Sequence, residues 1–334
     1  MTTNEDAAVE EAEREQAAIR KLKELFVGAE ASRHVDLDRR VRRPVFMKPL
    51  GGARGTFHVA PDLDASLRIG VFAHQGFPAW VRFSASPVPQ SGGDDYDVLG
   101  MSIKLLGVPG QKLLEGEEKA LTHDFVLQNH DVFFVDDAPE FAALTEASFS
   151  SRLDDYLEQH PNTAAILKEM QRNEADVLLA HYSSAVPYAF GERYVKYAVR
   201  PVAGLSGSPQ GPGTGRGDET LRRRLLDEGA CFDFFLQFQA DPAAMPLERA
   251  TVRWEERLSP LIKVATIELP AGQDIYDPGL LAAIEELSFT SWHALPEHAP
   301  VGSLNRARRA VYKASADYRR RRNHVPLGEP LEGI

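Results

Sequence analysis

Three residues near the end of the chain have the types and the spacing that iron chemistry requires. Tyr312 follows Arg308 by one helical turn and precedes Arg319 by two, so the three side chains share one stripe of a helix. A guanidinium beside a phenol favours the charged phenolate, because the two charges attract each other. A phenolate is a ligand for ferric iron. The stripe, which also carries Leu304 and Ser315, is therefore the first candidate for a functional site.

The spacing of these residues resembles the proximal helix of haem catalases, and further segments resemble the same family in the same order. They are, along the chain, Arg43-Pro44-Val45-Phe46-Met47-Lys48, Gly55-Thr56-Phe57, Val81-Arg82-Phe83-Ser84, Gly100-Met101-Ser102-Ile103-Lys104, Asn129-His130-Asp131-Val132-Phe133-Phe134 and Ile284-Glu285-Glu286-Leu287-Ser288-Phe289. Together with the proximal helix, the match spans residues 40 to 323, nearly the whole chain. The chain is thus similar to the haem catalase superfamily, in the form of a small catalase-like protein.

The resemblance implies an α+β fold, in which a catalase-like antiparallel β-barrel has surrounding and C-terminal helices and haem is buried between the barrel and the proximal helix. The implied cofactor is b-type haem, protoporphyrin IX iron. Tyr312 would bind the iron, and Arg308 would keep the phenol ionised. Three separated arginines would bind the haem propionates, because a planar guanidinium suits a carboxylate: Arg43, Arg82 and Arg319.

One position departs from the family pattern and changes the expected activity. Phe46 stands where the resemblance places the distal histidine, and a register shifted by one residue places Met47 there instead. Neither side chain can carry a proton, whereas a histidine takes a proton from peroxide and returns it to the departing oxygen. The resemblance therefore implies haem binding with poor dismutation of hydrogen peroxide. A smaller departure is Leu99, which precedes Gly100 where the family usually has arginine.

The distal side has one further candidate residue and three histidines that could replace the missing base. Asn129 matches the distal asparagine of the family and would donate its amide to an oxygen ligand of the iron. The three histidines are His130, His123 and His34. On a strand, His130 would point to the side opposite Asn129, which disfavours its use as the base.

These features predict a haem-dependent oxidoreductase that acts on a peroxide. An apolar distal face favours a small apolar hydroperoxide as the substrate, because hydrophobic pockets with few polar groups bind such ligands. Peroxidase-like oxidation and hydroperoxide rearrangement both fit. The main alternative is a haem-binding protein without turnover, acting as a sensor, a store or a remnant. A lipocalin-like barrel without iron would explain the strands but not the arginine and tyrosine spacing.

Each candidate residue also has an ordinary structural interpretation. Tyr312 could be a core tyrosine on an amphipathic helix, and Asn129 could cap a turn before a strand. Arg43 and Arg82 could form surface ion pairs, which stabilise a protein little. The order of the matching segments favours the functional interpretation of Tyr312.

Composition limits the class of protein and its partners. The chain has 334 residues, 43% of them apolar, which is ordinary for a globular protein with a sizeable core. Its formal charge of −11 disfavours nucleic acid and anionic membranes as partners, because both attract basic surfaces. Cys231 is the only cysteine, which excludes an intramolecular disulfide and a cysteine-based zinc site.

Residues 1–15 are acidic and lack the features of a signal peptide, and no apolar run has the length of a membrane span. A cytoplasmic protein is therefore expected. The family resemblance further implies self-association, with a homodimer as the minimal form. We expect two units, a helical arm at residues 1–35 and a single catalase-like haem domain at residues 36–334.

The elements that must position the site follow from hydrophobic periodicity. Residues 4–26 predict an amphipathic helix that packs through its second half, and short alternating strands between residues 54 and 135 predict an antiparallel barrel. Helices are expected between residues 139 and 180. Further strands are predicted at residues 194–199, 232–239, 250–254 and 263–269, and a last helix at residues 303–322 carries Tyr312.

Overall fold

An antiparallel sheet that closes on itself forms the centre of the molecule. The computed structural model describes residues 4–33, 40–86, 98–171, 177–202, 217–275 and 277–329. Within this part of the chain the strands are β1 (Lys48–Val59), β2 (Gly76–Ser86), β3 (Val98–Leu106), β4 (Thr122–Gln128), β5 (Tyr182–Ser183), β6 (Tyr188–Phe190), β7 (Arg193–Pro201), β8 (Ala230–Phe238) and β9 (Ile262–Leu269).

The strands lie in the order β5-β4-β3-β2-β1-β9-β8-β7, and β5 pairs with both β4 and β7. These pairings close an eight-stranded antiparallel barrel, and β6 extends it by pairing with β7. The barrel and the helices around it confirm the predicted α+β architecture.

Alternation along the strands determines which side chains fill the barrel and which face outward. Inside, the rings of Phe57, Phe125 and Phe234 pack with centroids 4.8 to 6.0 Å apart. On β3, Met101 and Ile103 are likewise buried in this core, so Ser102 between them points to the outer face.

Helices cover the outside of the barrel. The described residues contain α1 (Asn4–Arg33), α2 (Ala138–Phe149), α3 (Leu153–Gln159), α4 (Pro161–Met170), α5 (Gly217–Asp227), α6 (Pro278–Glu286) and α7 (Ser303–Arg322). As predicted, α1 packs through its second half, where Ile19, Leu22 and Phe26 contact Ala307 and Val311 of α7. Among these helices none has both the length and the apolar character needed to cross a membrane.

A glycine in β1 allows α6 to approach the barrel wall directly. A Cβ at Gly52 would lie 1.8 Å from Ile284 Cδ1, so no side chain fits there. Gly52 pairs with Arg82 of β2. The close packing therefore places the carboxyl end of α6 beside Arg82.

The predicted strand at residues 250–254 is wrong, because this segment has irregular structure. Its backbone bonds to a side chain and a loop instead of to a neighbouring strand. The amides of Ala250 and Thr251 donate to the carbonyl and the carboxylate of Asp136, respectively. The amide of Phe133 in turn donates to the carbonyl of Ala250. The segment thus ties the outside of the barrel to the loop before α2.

Candidate functional site

A cavity of about 530 Å³ lies between the outer face of the barrel and α7, and residues of α1 and α2 complete its walls. This volume is within the roughly 300–1,000 Å³ that is usual for ligand and cofactor sites. The cavity brings together most of the site residues predicted from sequence: Arg43, Phe46, Arg82, Arg308, Tyr312 and Arg319. They come from both ends of the chain.

The barrel wall of the cavity consists of outward-facing residues in register on β2, β3 and β4. Two rows of paired residues line it, Ser84, Gly100 and Gln128 in one row and Arg82, Ser102 and Val126 in the next. The following row pairs Lys104 with Asp124, whose side chains are completely buried. The two-residue period of the strands therefore places a buried ion pair directly beside the cavity.

The opposite wall is one face of α7. Its cavity-facing residues include the predicted stripe of Leu304, Arg308, Tyr312, Ser315 and Arg319. On another face of the helix, Arg306 is exposed and pairs with Glu15 and Glu248. The helical period thus separates the charged surface residues of α7 from those that reach the cavity.

Arg43, Arg82 and Arg319, here called the arginine cluster, meet beside the carboxyl end of α6. Arg43 Nη1 lies 2.9 Å from Glu285 Oε2, and Arg82 Nε lies 3.5 Å from Glu285 Oε1. Arg43 and Arg319 both donate to the carbonyl oxygen of Leu287, at 2.5 and 3.1 Å. The fold therefore gathers three distant guanidinium groups around one carboxylate and one carbonyl.

Burial and mutual repulsion affect the charges in the arginine cluster. Burial lowers the pKa of Arg82 to about 9, Arg43 adds to this shift, and Glu285 opposes it. Burial alone would raise the pKa of Glu285, but the positive charges of the arginine cluster outweigh burial and hold that pKa below its usual value. Among the described residues, Arg82 Nε is buried without a well-aligned hydrogen bond. Its nearest partner is the Glu285 carboxylate at 3.5 Å, so the arginine cluster is a group of buried cations of the kind that suits carboxylates.

Phe46 reaches the cavity from a strained backbone conformation. Its φ angle of 50° lies in the left-handed region, which is an outlier for a bulky residue. Arg82 Nη2 donates a 3.0 Å hydrogen bond to the carbonyl oxygen of Phe46. The Phe46 ring lies against Gly100, where a Cβ would be 2.9 Å from the ring atom Cδ1. Backbone strain of this kind costs about 1–3 kcal/mol and clusters at functional sites. Met47, the alternative in the shifted register, also lines the cavity.

Arg308 is held by a buried amide on its own helix. Its Nη1 donates to Asn305 Oδ1 at 3.4 Å, and its guanidinium lies 5.7 Å from the ring centroid of Phe133. Asn305 is itself fixed, because its Nδ2 donates to the carbonyls of Pro187 and Val301, each at 2.9 Å. The position of the guanidinium is therefore set before any ligand binds.

A second tyrosine connects Arg308 and Tyr312 electrostatically. Burial raises the pKa of Tyr188, the positive charge of Arg308 opposes this shift, and Tyr312 adds to it. Both phenols thus lie within electrostatic reach of each other, and the guanidinium acts on Tyr188. The positive charge of Arg308 thus favours the ionised form of Tyr188 and partly offsets the effect of burial on its pKa.

Asn129 occupies the end of β4 rather than the cavity lining. Its backbone amide donates to the Leu99 carbonyl at 3.0 Å, and its Oδ1 accepts a 2.9 Å hydrogen bond from the Leu99 amide. The adjacent Gln128 lines the cavity. The Asn129 side chain therefore ties the start of β3 to the residue that follows β4.

No histidine is among the described residues that line the cavity. His130 Nε2 lies 3.5 Å from Glu169 Oε2, and His123 packs in the core with its ring centroid 4.9 Å from that of Phe125. His34 lies outside the described residues. Neither His130 nor His123 therefore reaches the cavity as a replacement base.

Sequence reasoning missed one carboxylate on the cavity wall. Glu117 lines the cavity, and its Oε2 lies 2.6 Å from Nε2 of His293. The two residues are 176 positions apart, and Glu117 sits in an acidic loop that resembles ordinary surface sequence. The sequence contains no motif that would pair them, so the contact is evident only in the fold.

Solved structures of catalases share this architecture. The chain superposes on a bacterial catalase with a TM-score of 0.67 and 17% identity, covering 91% of this chain and 62% of that one. For catalase A from Saccharomyces cerevisiae the TM-score is 0.65 with 18% identity, covering 89% and 65%. For a fungal catalase it is 0.64 with 18% identity, covering 86% and 61%. The fold is therefore catalase-like, as predicted.

The likeness extends to structure more than to sequence. The chain spans 61–65% of the length of these catalases. No family model and no curated protein matches the chain. At 17–18% identity this likeness shows the fold alone.

The donor set of the cavity fits haem. Tyr312 places a phenol on one wall, and the arginine cluster brings guanidinium groups, which suit carboxylates, to the same cavity. Apolar residues form much of the remaining lining, including Phe133 and Phe134. A flat apolar ligand with carboxylate groups and a metal that accepts an oxygen ligand matches all three features.

Proposed function

We propose that the chain is a catalase-related haem protein that acts on peroxides, with organic hydroperoxides favoured over hydrogen peroxide. The observation that carries the proposal is the meeting of Tyr312, the arginine cluster and Phe46 on one cavity. Tyrosinate is the axial haem ligand of catalases, and the catalase-like fold supports the same use of Tyr312.

In this proposal a b-type haem is held from two sides. Tyr312 Oη would bind the iron, and the arginine cluster would bind the propionates through charge-assisted hydrogen bonds. Arg308, positioned by Asn305, provides the positive charge that favours the phenolate. Bound haem supplies a ferric iron that accepts and cleaves a peroxide.

The side of the cavity that carries Phe46 determines the proposed substrate preference. Phe46 has no ionisable group, so this ring cannot exchange a proton with hydrogen peroxide. It excludes water and offers an apolar surface to the organic part of a hydroperoxide. Asn129 is not among the described residues that line the cavity, and its Oδ1 is bonded to Leu99, so its proposed part in the site is to hold the start of β3 beside the cavity.

A haem-binding protein without turnover is the second candidate, and the absence of histidine from the described cavity lining favours it. A cytoplasmic location and a homodimer belong to the main proposal. The single cysteine is compatible with a reducing compartment, since it requires no intrachain disulfide.

Haem titration followed by turnover tests the proposal. The purified protein should bind about one haem per chain and show a Soret band. It should then consume cumene hydroperoxide faster than hydrogen peroxide. Product analysis with and without an electron donor distinguishes peroxidase from rearrangement chemistry. Failure to bind haem contradicts the proposal, and haem binding with no consumption of either peroxide favours the protein without turnover.

A further inference from the structure

We infer that Glu117 exchanges a proton with ligands bound in the cavity, and that His293 supports it from behind. This inference rests on the proposed function, because it assigns the acid–base group of the same site. The carboxylate and the imidazole lie 2.6 Å apart, at Glu117 Oε2 and His293 Nε2.

Glu117 is the only carboxylate among the described residues that line the cavity. The other ionisable groups of the lining are arginines, Lys313 and Tyr312, and arginine and lysine keep their protons at neutral pH. Because Glu117 Oε2 is bonded to His293, Oε1 is the oxygen that remains for a ligand in the cavity. A carboxylate is an established general base and acid.

The imidazole of His293 is held between two carboxylates. Its Nδ1 lies 2.8 Å from Asp124 Oδ2, opposite the contact with Glu117. Burial lowers the pKa of His293, but Glu329 and Asp124 outweigh burial and raise that pKa to about 9. At neutral pH both ring nitrogens therefore donate, and the Asp124 contact fixes the orientation of the ring.

The charge of His293 in turn keeps Glu117 ionised. Burial raises the pKa of Glu117, but the hydrogen bond and the charge of His293 outweigh burial and hold it below its usual value. The negative charge of Glu329 raises the pKa of Glu117, whereas the positive charge of Arg320 lowers it. Glu117 is thus ionised at neutral pH and able to accept a proton, and its conjugate acid releases the proton easily.

The charged groups around His293 balance one another. Lys104 Nζ donates to Asp124 at 2.6 Å and to Glu329 at 2.5 Å, and Arg320 donates to Glu329 at 3.1 Å. Ligand atoms of Glu117, His293 and Glu329 lie within 4.8 Å of one another, which is close enough for a metal ion. The protonated imidazole and the neighbouring Lys104 and Arg320 already neutralise these carboxylates, so the cluster is an ion-pair network that leaves Glu117 free to exchange a proton with the cavity.

The proposed step moves one proton. A hydroperoxide in the cavity transfers its O–H proton to Glu117 Oε1, and the electron pair of that bond remains on the oxygen. Glu117 becomes a carboxylic acid. It then passes the proton to water, which restores the carboxylate and its ion pair with His293.

Two ligands test the inference on the haem-loaded protein, one that must lose a proton when it binds and one that need not. Hydrogen cyanide must lose a proton when it binds ferric haem, whereas fluoride is already an anion at pH 7. Glu117→Gln should slow cyanide association by about 10²-fold, as expected for the loss of a general base, and leave fluoride association unchanged. Glu115→Gln, an exposed residue of the same loop, should change neither rate.

An unchanged cyanide rate in Glu117→Gln would overturn the inference, and so would equal slowing of both ligands, which indicates altered access. If Glu117→Gln does not fold, Glu117→Asp replaces it and should slow the association of cyanide alone, by a smaller factor. An unchanged cyanide rate in Glu117→Asp would also overturn the inference. The Soret band is recorded before either ligand is added. Its absence in the wild type overturns the proposed function together with the inference, whereas a normal band with an unchanged cyanide rate overturns the inference alone.

Discussion

Arg82 Nη2 donates a 3.0 Å hydrogen bond to the carbonyl oxygen of Phe46, and this bond connects the two halves of the candidate site. On its other side, the same guanidinium faces Glu285 through Nε. Phe46 is held at a φ angle that bulky residues rarely adopt. One buried arginine thus positions an apolar ring and takes part in the cluster proposed to bind carboxylates.

Gly100→Ala should destabilise the protein, because the new Cβ would lie 2.8 Å from Ser84 Oγ and 2.9 Å from Phe46 Cδ1. Overpacking of this kind typically costs about 1–3 kcal/mol. Urea unfolding measures the change. Gly28→Ala is the matched control, since no atom lies within 4 Å of its added Cβ on the exposed face of α1. It should be stabilising by up to about 1 kcal/mol. Equal effects of the two substitutions would contradict the packing of Phe46 on Gly100.

Phe46→His should raise the breakdown of hydrogen peroxide by the haem-loaded protein. Histidine is tolerated at positive φ better than most bulky residues, and general acid–base catalysis contributes about 10²-fold or more. Oxygen evolution at equal haem occupancy is the measurement. A flat rate would show that the missing histidine does not limit the reaction. Met47→His tests the shifted register in the same assay.

Glu285→Gln should destabilise the haem-free protein by about 1–3 kcal/mol, because it removes a charged partner from the arginine cluster. Folding lowers the pKa of Glu285, so its contribution is present above the usual carboxyl pKa of 4.5 and is lost as the pH falls below that value. The free energy of unfolding, measured with urea, should therefore fall more between pH 7 and pH 3 in the wild type than in the variant. Glu286→Gln is the control, because this exposed neighbour pairs with Arg40 instead.

The His293 network should make the stability depend on pH in the alkaline range. Folding raises the pKa of His293 from 6.5 to about 9, so its contribution is complete below pH 6.5 and is lost as the pH rises through 9. At about 1.4 kcal/mol per pH unit, the loss is on the order of 3 kcal/mol. Unfolding free energies between pH 6 and 10 should fall less steeply in His293→Gln than in the wild type. The exposed His74→Gln should follow the wild type, and identical slopes in all three would contradict the assignment.

The parts of the fold that could be predicted from sequence are those with local signals. The period of β3, which alternates Met101 and Ile103 with cavity residues, and the bounds of α7 both follow from side-chain spacing. Residues 250–254 have the composition of a strand, but Asp136, more than a hundred positions away, accepts hydrogen bonds from the amides of Ala250 and Thr251 through its carbonyl and its carboxylate. The local composition of a segment does not predict such a distant hydrogen-bond partner.

In the candidate site, too, the contacts that follow from local spacing could be predicted from sequence and those between distant elements could not. Arg308 and Tyr312 lie on one helix, so their common face follows from helical geometry. Glu285 stands within a segment that resembles the family, yet its contact with Arg82 depends on Gly52 admitting α6 to the barrel wall. Such contacts depend on the packing of distant elements, which spacing within a segment cannot specify.

The most direct test of the account is the visible spectrum of Tyr312→Phe after haem titration. The substitution keeps the ring on the cavity wall and removes the oxygen proposed to bind the iron. Tyr318→Phe, on the same helix but outside the cavity lining, is the control. We expect the control to keep the wild-type ferric spectrum and Tyr312→Phe to lose its ligand signature, with haem affinity lower by about tenfold or more, or 1.4 kcal/mol. A Tyr312→Phe spectrum and haem affinity equal to those of the wild type would contradict the assignment of Tyr312 as the iron ligand.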